Sequence, residues 1–368
     1  MKNILVVFGG NSVEAEVSIV TANLVLSCLN NSKYNAIPVF ITRDNRFCLG
    51  DELKSLEFFK DGNTSTNKFA LFCPGSKNLY VQKKCKIVKG EVIDGVLNCC
   101  HGGLGEGGAL TGLFKSVGIE VYSPTEFCSS LLLDKFHTKT FFKCSGVKTV
   151  NAVLHESLTP IDKTVALAEK RISYPMIVKP ATLGSSIGIG VAKNRTALIN
   201  LITNAVKYDD RVVVEEFLSG AIEINCAVYR GENGIKVSEC ERPLSKGDIL
   251  SFDDKYFSGE RVFPADIPTF LADEIKRTTI KVYNMLDISG VIRIDYLYHN
   301  GKVYLNEVNT VPGSLALYLF ANDPKGYYDV LDDIISGAKR KNNLKFSLKQ
   351  FDQQYIFGKA GVKGAKLK

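Results

Sequence analysis

The chain has 368 residues, 45% hydrophobic and 23% charged, enough apolar material for a large core and enough length for two or three domains. No apolar run approaches the roughly 18–20 residues of a membrane-spanning helix, and the opening "MKNILVVFGGNS" runs into glycines instead of a signal-peptide cleavage pattern, so a cytoplasmic protein without a membrane partner is expected. The net charge of +7 makes no nucleic-acid surface. Nine basic residues fall in 339–368 beside one acidic residue, Asp352; the remaining 37 basic and 38 acidic residues nearly cancel, and no basic stripe is interleaved with aromatics.

In chain order, "NILVVFGG" is a continuous apolar run ending in Gly9-Gly10. A helix-like "EAEVSIVTANLVLSCLNN" follows, then a second strand, "YNAIPVFIT". This pattern starts a parallel α/β layer, extended by "EVIDGVLNCCHGG" and "IEVYSP", with residues 51–90 reading as irregular; the unit is expected to span 1–123. A helix in "SSLLLDKFHTKTFFKCSG" leads to the strands "YPMIVKP", "IGIGVAKN" and "RVVVEEFLSG", giving a middle unit, 124–218. The third unit, 219–340, alternates strands with the helix "PTFLADEIKRTTIKVYNML" and is followed by a basic tail, 341–368. The ten cysteines follow neither a disulfide framework nor a paired C-x-x-C spacing and read as buried free thiols.

Chemistry concentrates near the end. In "GVIRIDYLY" Arg293 and Asp295 share a strand face, and so do Glu307 and Asn309 in "VYLNEVN", with the hairpin signal Asn300-Gly301 between the two strands. Asp295, Glu307 and Asn309 are oxygen donors suited to Mg²⁺ held together with substrate phosphates; the plainer alternative is a solvated face with an Arg–Asp pair. A phosphate site is then required elsewhere. "MIVKPATLGSSIGIG" joins a strand carrying Lys179 to a Gly/Ser turn whose backbone N–H groups suit a triphosphate, and it is no Walker loop, since G-x-x-x-x-G-K-[ST] is absent.

Lys135, Lys179, the Gly/Ser hairpin, "VVVEEFLSGAIE", "RID" and "NEVN" occur in the order and spacing of the ATP-grasp fold. With "GGNSVEAEVS" and "HGGLGEGGALTG" they resemble the D-alanine–D-alanine ligase family over nearly all of residues 1–335. The resemblance implies an α/β protein (α+β overall) with an N-terminal Rossmann-like parallel-sheet domain ahead of the ATP-grasp subdomains. It implies ATP between the second and third units. Lys135 and Lys179 would contact phosphates with Ser185 and Ser186 of the hairpin, Glu215 would lie at the adenine and Glu223 at the ribose hydroxyls. Two Mg²⁺ ions, with Mn²⁺ as a substitute, would sit on Asp295, Glu307 and Asn309. Lys255 and Tyr256 in "SFDDKYFSGE" would close over the reacting centre, and Tyr256, absent from depsipeptide-forming relatives, favours an amine nucleophile. Glu14 would hold the ammonium of the first D-amino acid, joined by Ser185 and Tyr256, although a carboxylate three residues after Asn11 also suits a helix cap. Arg293 and the N–H of Gly313 would stabilise the tetrahedral oxyanion. Small-molecule substrates, peptidoglycan precursor synthesis and a homodimer are implied with them.

Several positions depart from the family pattern: Ala15, Gly107, Thr111 and Leu183. After Gly313, "SLALYLF" replaces the usual segment, so Tyr318 is the nearest counterpart of the family serine that binds the second substrate's carboxylate. D-serine or a bulkier D-residue therefore stays open beside D-alanine, as do other carboxylate and amine substrates and a non-ligating nucleotide-binding paralogue. A dehydrogenase is disfavoured because Gly9-Gly10 lacks G-x-G-x-x-G.

Overall fold

In a computed structural model the chain is described over residues 1–29, 32–245, 247, 260–286 and 288–341. Lys255, Tyr256 and the tail from 342 lie outside the described residues. The first sheet contains β1 (Lys2–Gly9), β2 (Tyr34–Ile41), β3 (Phe47–Leu49), β4 (Lys68–Leu71), β5 (Asn78–Lys83), β6 (Lys86–Val92) and β7 (Gly95–Asn98), ordered β6-β5-β4-β3-β2-β1-β7. β1 is parallel to both β2 and β7, as a strand followed by a crossover helix requires, and that helix is Ala15–Leu29. Residues 51–90, read as irregular from sequence, instead supply β4, β5 and most of β6 as an antiparallel extension. The pattern was hidden because these strands are short and polar-rich, every residue of β6 is exposed, and the β5–β6 turn uses Lys84 at φ 49° without a glycine or asparagine.

The second sheet, β10-β9-β11-β8, is built from β8 (Ala152–Glu156), β9 (Met176–Pro180), β10 (Gly190–Ala192) and β11 (Arg211–Glu216), all antiparallel. The third, β13-β12-β16-β17, contains β12 (Ile222–Gly231), β13 (Gly234–Val237), β16 (Val291–His299) and β17 (Lys302–Asn309). A short pair, β14 (Arg242–Pro243) with β15 (Arg261–Val262), lies between β13 and β16 in sequence.

Apolar packing does not follow these sheets one to one. One core joins Ile4, Val25 and Leu29 of the first unit to Leu315, Leu317, Leu331 and Ile335 near the end of the described chain. A second core puts Cys128, Leu132 and Phe142, from the helices Glu126–Leu133 and Lys135–Cys144, against the third sheet. The second sheet keeps a core drawn entirely from residues 153–214. All ten cysteines are free, but only six are buried: Cys73, Cys85 and Cys144 are exposed, in or beside strand- and helix-end turns where no core is available to cover them.

Candidate active site

The β16–β17 hairpin turns at Asn300 and Gly301, both at positive φ (48° and 74°), a conformation these residue types adopt at low cost. Its register sets Arg293 opposite Asn309 and Asp295 opposite Glu307. One step further the ladder slips and Tyr296 pairs with Leu305, so Asn306 is the extra residue of a bulge. That extra residue re-aims one side chain. Glu307 and Asn309 line a cleft of about 600 Å³, whereas Asn306 meets the second unit: Lys179 Nζ donates to its Oδ1 (3.3 Å) and Lys139 Nζ to its backbone carbonyl (2.7 Å).

Asp295 is 1% exposed, and a carboxylate so buried needs a counter-charge. Arg293 supplies it through Nε and Nη2, at 2.7 and 2.8 Å, and Asn309 Nδ2 donates to the same carboxylate at 3.0 Å. Among the described residues no group of three or more His, Cys, Asp or Glu side chains forms a metal cluster. The set on the hairpin is two carboxylates and a carboxamide on facing positions, all hard oxygen donors, which fits a divalent cation completed by phosphate oxygens.

Between β9 and β10 the chain turns through Ser185 and Ser186, both left-handed (φ 54° and 59°), a conformation in which successive N–H groups form an anion-binding concavity. Lys135, the first residue of its helix, donates from Nζ to the Leu183 carbonyl (2.6 Å) and from its backbone N–H to Ala181 (2.9 Å), which fixes the turn. Lys179, at the end of β9, faces Glu215 of β11. Glu215 sits between Lys139 and Lys179, with each Nζ 2.8 Å away. Burial pushes its carboxyl up, but the two ammonium groups together outweigh burial and hold it below the usual carboxylate range. Beside this trio is a hollow of about 390 Å³ whose walls include Ile177 and Leu297 as well as Lys179, Ser186, Glu215 and Glu223, apolar faces with polar ends that suit a flat heterocycle and its hydroxylated appendage.

Glu14 lies where the first and second units meet. Ser185 Oγ donates to its carboxylate. A Cβ on Gly184 would stand 2.6 Å from that carboxylate and one on Gly102 3.0 Å, so the approach requires glycine on both sides. The capping alternative for Glu14 does not hold: the helix starts at Ala15, Ser12 Oγ accepts the Glu14 N–H (3.1 Å), and the Glu14 side chain is directed to Ser185.

After β17 the loop 310–316 closes the cleft. Ser314, Leu315 and Ala316 are all left-handed (φ 52°, 48° and 51°), costing roughly 1–2 kcal/mol each, and burial of Leu315, Ala316 and Leu317 in the shared core holds them there. Glu106 pins the start of the loop, accepting from Gly102 N–H (2.7 Å), Thr310 Oγ1 (3.1 Å) and Val311 N–H (3.3 Å). Its carboxyl is pushed up to about 7 by burial and then by the charge of Glu14. Tyr318 stacks under the Arg261 guanidinium (4.3 Å) and donates to Glu241 Oε2 (3.4 Å), which Arg261 also pairs through Oε1 (3.0 Å).

Glu14, Lys135, Ser185, Glu223, Arg293, Glu307, Asn309 and Gly313 thus share the larger cleft, and Lys179, Ser186, Glu215, Glu223 and Glu307 the smaller. Asp295 lies beneath Arg293 and Asn309. Reading the sequence did not single out Lys139, Asn306 or Glu106. Lys139 carried a signal, being four residues after Lys135 and so on the same helix face. Asn306 carried none, because strand alternation puts it opposite Glu307 until the bulge is known.

Two family descriptions match the chain: "D-ala D-ala ligase N-terminus" over residues 3–124 and "D-ala D-ala ligase C-terminus" over 144–336. A relative from Thermosipho melanesiensis, named D-alanine–D-alanine ligase, is 36% identical over 353 residues, covering 94% of this chain and 96% of its own. The crystal structure of the D-alanine–D-alanine ligase of Helicobacter pylori superposes with a TM-score of 0.74 at 28% identity, covering 92% of this chain and 98% of its own. The VanG D-Ala:D-Ser ligase of Enterococcus faecalis gives 0.75 at 26% identity, with the same two coverages.

Proposed function

The chain belongs to the D-alanine–D-alanine ligase family, and from that premise we propose how its two hollows divide the work of joining two D-alanine molecules at the expense of ATP. The protein is a ligase that uses ATP and acts on small molecules. The observation that carries the division of work is the convergence of Glu14, Ser185, Arg293, Glu307, Asn309 and Gly313 on one cleft that shares a wall, Glu223 and Glu307, with the apolar hollow.

The base and ribose of ATP occupy the smaller hollow, with Glu215 at the adenine, Glu223 at the ribose, and Lys179, Lys135 and the Ser185–Ser186 turn around the phosphates. Two Mg²⁺ ions, or Mn²⁺, bound to Asp295, Glu307 and Asn309 would offset phosphate charge that otherwise repels an anionic nucleophile. Glu14 holds the ammonium of the first D-alanine, leaving its carboxylate to attack the γ-phosphorus. An acyl phosphate forms and ADP leaves. The amine of the second D-alanine then attacks the acyl carbon, the oxyanion takes hydrogen bonds from Arg293 and the Gly313 N–H, and collapse expels phosphate. Lys255 and Tyr256 are assigned to a cover that keeps water from the acyl phosphate. The protein works in the cytoplasm, on peptidoglycan precursors, as a homodimer. No helix among the described residues is long and apolar enough to cross a membrane.

The test is phosphate release by purified protein with ATP, Mg²⁺ and a panel of single and paired amino acids, with mass spectrometry of products. D-alanine-dependent release with D-alanyl-D-alanine as product is expected; release only with D-serine as partner would reassign the pocket beside Tyr318.

A further inference from the structure

Resting on the ligase reading, we propose that Thr21 and His101 are positioning residues which hold the Gly313 N–H toward the reacting carbonyl by fixing the adjacent Ser314 peptide. Both are buried, at 1% and 6% exposure, and both belong to the first unit, whereas Gly313 follows the third sheet. Thr21 Oγ1 accepts the Ser314 N–H at 3.0 Å and lies 2.9 Å from His101 Nε2. A hydroxyl that accepts from a backbone N–H still has its own proton to give, and a neutral imidazole with a bare Nε2 takes it.

The span is thus held at both ends, Ser314 by Thr21 with His101 behind it and Val311 by Glu106, which accepts its N–H at 3.3 Å. Between the two anchored residues lie only Pro312, which has no N–H and a φ of −69°, and Gly313, the one peptide donor in that span. Acceptance at Nε2 requires neutral imidazole. Burial, then the charge of Arg293, hold His101 down to about 4, so it is neutral across the working range. The strained run at 314–316 begins at the residue Thr21 holds, so releasing that bond lets the backbone relax where the oxyanion donor sits.

Steady-state kinetics of Thr21→Val and Thr21→Ser test this, with dipeptide formation by the unsubstituted chain as the reference. Valine keeps the shape and removes the hydroxyl, so kcat is expected to fall about 10–100-fold with the KM for ATP within about twofold, while serine restores most of the rate. His101→Leu removes the partner of the Thr21 hydroxyl. Combined with Thr21→Val it is expected to cost little more than either alone, since both remove one hydrogen-bonded pair. Additive losses, a serine variant as slow as valine, or a lowered melting temperature with kcat unchanged would each overturn the proposal. Absence of dipeptide in the unsubstituted chain would instead overturn the ligase reading, and this inference with it.

Discussion

The second unit and the pair formed by the first and third units are held together in different ways. The first and third share an apolar core, so that Leu29 and Ile335, more than 300 residues apart in sequence, pack into one cluster. Within the second unit the sheet β8–β11 keeps a core drawn from residues 153–214, and it meets the helices at 126–144 and the other units through polar contacts: Ser185 with Glu14, Lys179 with Asn306, Arg211 with Asp134, and Glu215 with Lys139. Apolar burial is non-directional and costly to undo, whereas a seam of charges can be remade against a ligand's phosphates at little net cost. The fold therefore puts its fixed joint where geometry must be kept and its exchangeable joint where a nucleotide must enter.

The sharpest way to break this contrast is at the seam's chemical centre. Glu307→Gln is expected to lower turnover by more than the roughly 10²-fold of one lost polar contact while leaving the melting temperature within a few degrees, read by phosphate release and calorimetry. Near-normal turnover would remove Glu307 from the chemistry. Core substitutions then separate the two joints. Leu317→Ala and Leu198→Ala remove side chains of equal size and no exposure, each at a cost of about 2–5 kcal/mol. Hydrogen exchange should show Leu317→Ala loosening the first and third sheets together, and Leu198→Ala loosening only residues within about 152–216.

Ser185→Ala probes a single seam contact. Losing a hydrogen bond to a charged group costs about 1.5–3 kcal/mol, so a rise of roughly 10–100-fold in the KM for D-alanine is expected with the cores undisturbed. An unchanged KM would leave Ser185 as a turn residue.

The smallest effect is in pH. The Glu106 carboxyl, ordinarily near 4.5, is pushed up to about 7 by burial; what its protonated form contributes to stability is complete below about pH 4.5 and is lost as pH rises through about 7. His101 runs the other way, its contribution complete above about 6.5 and lost as pH falls through about 4. Glu106→Gln should therefore flatten the decline in stability between about pH 5 and 7 measured by urea titration, and leave the acid limb in place.

The sequence made the hairpin legible because its two signals are local: strand alternation puts Arg293 with Asp295 and Glu307 with Asn309, and Asn300-Gly301 names the turn. The parallel start of the first sheet was legible for the same reason. The polar extension over β4, β5 and β6 was not, since exposed edge strands owe no periodicity to a core. Nor were Asn306 and Glu106 in their places. One depends on a bulge, and the other on a contact about 200 residues away, from Glu106 to Thr310 and Val311. Local pattern carries no record of either.

The bulge at Asn306 leaves β17 serving as a party wall, with Glu307 bordering both hollows. For inhibitor chemistry this means that two weak fragments, one in each hollow, would border the same residues, Glu223 and Glu307. A short tether passing between Glu223 and Glu307 would turn the second binding event into an intramolecular one, at millimolar effective concentration if its length matches the span. Compounds of that kind would read two adjoining compartments at once, and resistance by changing one wall residue would disturb the natural occupants of both.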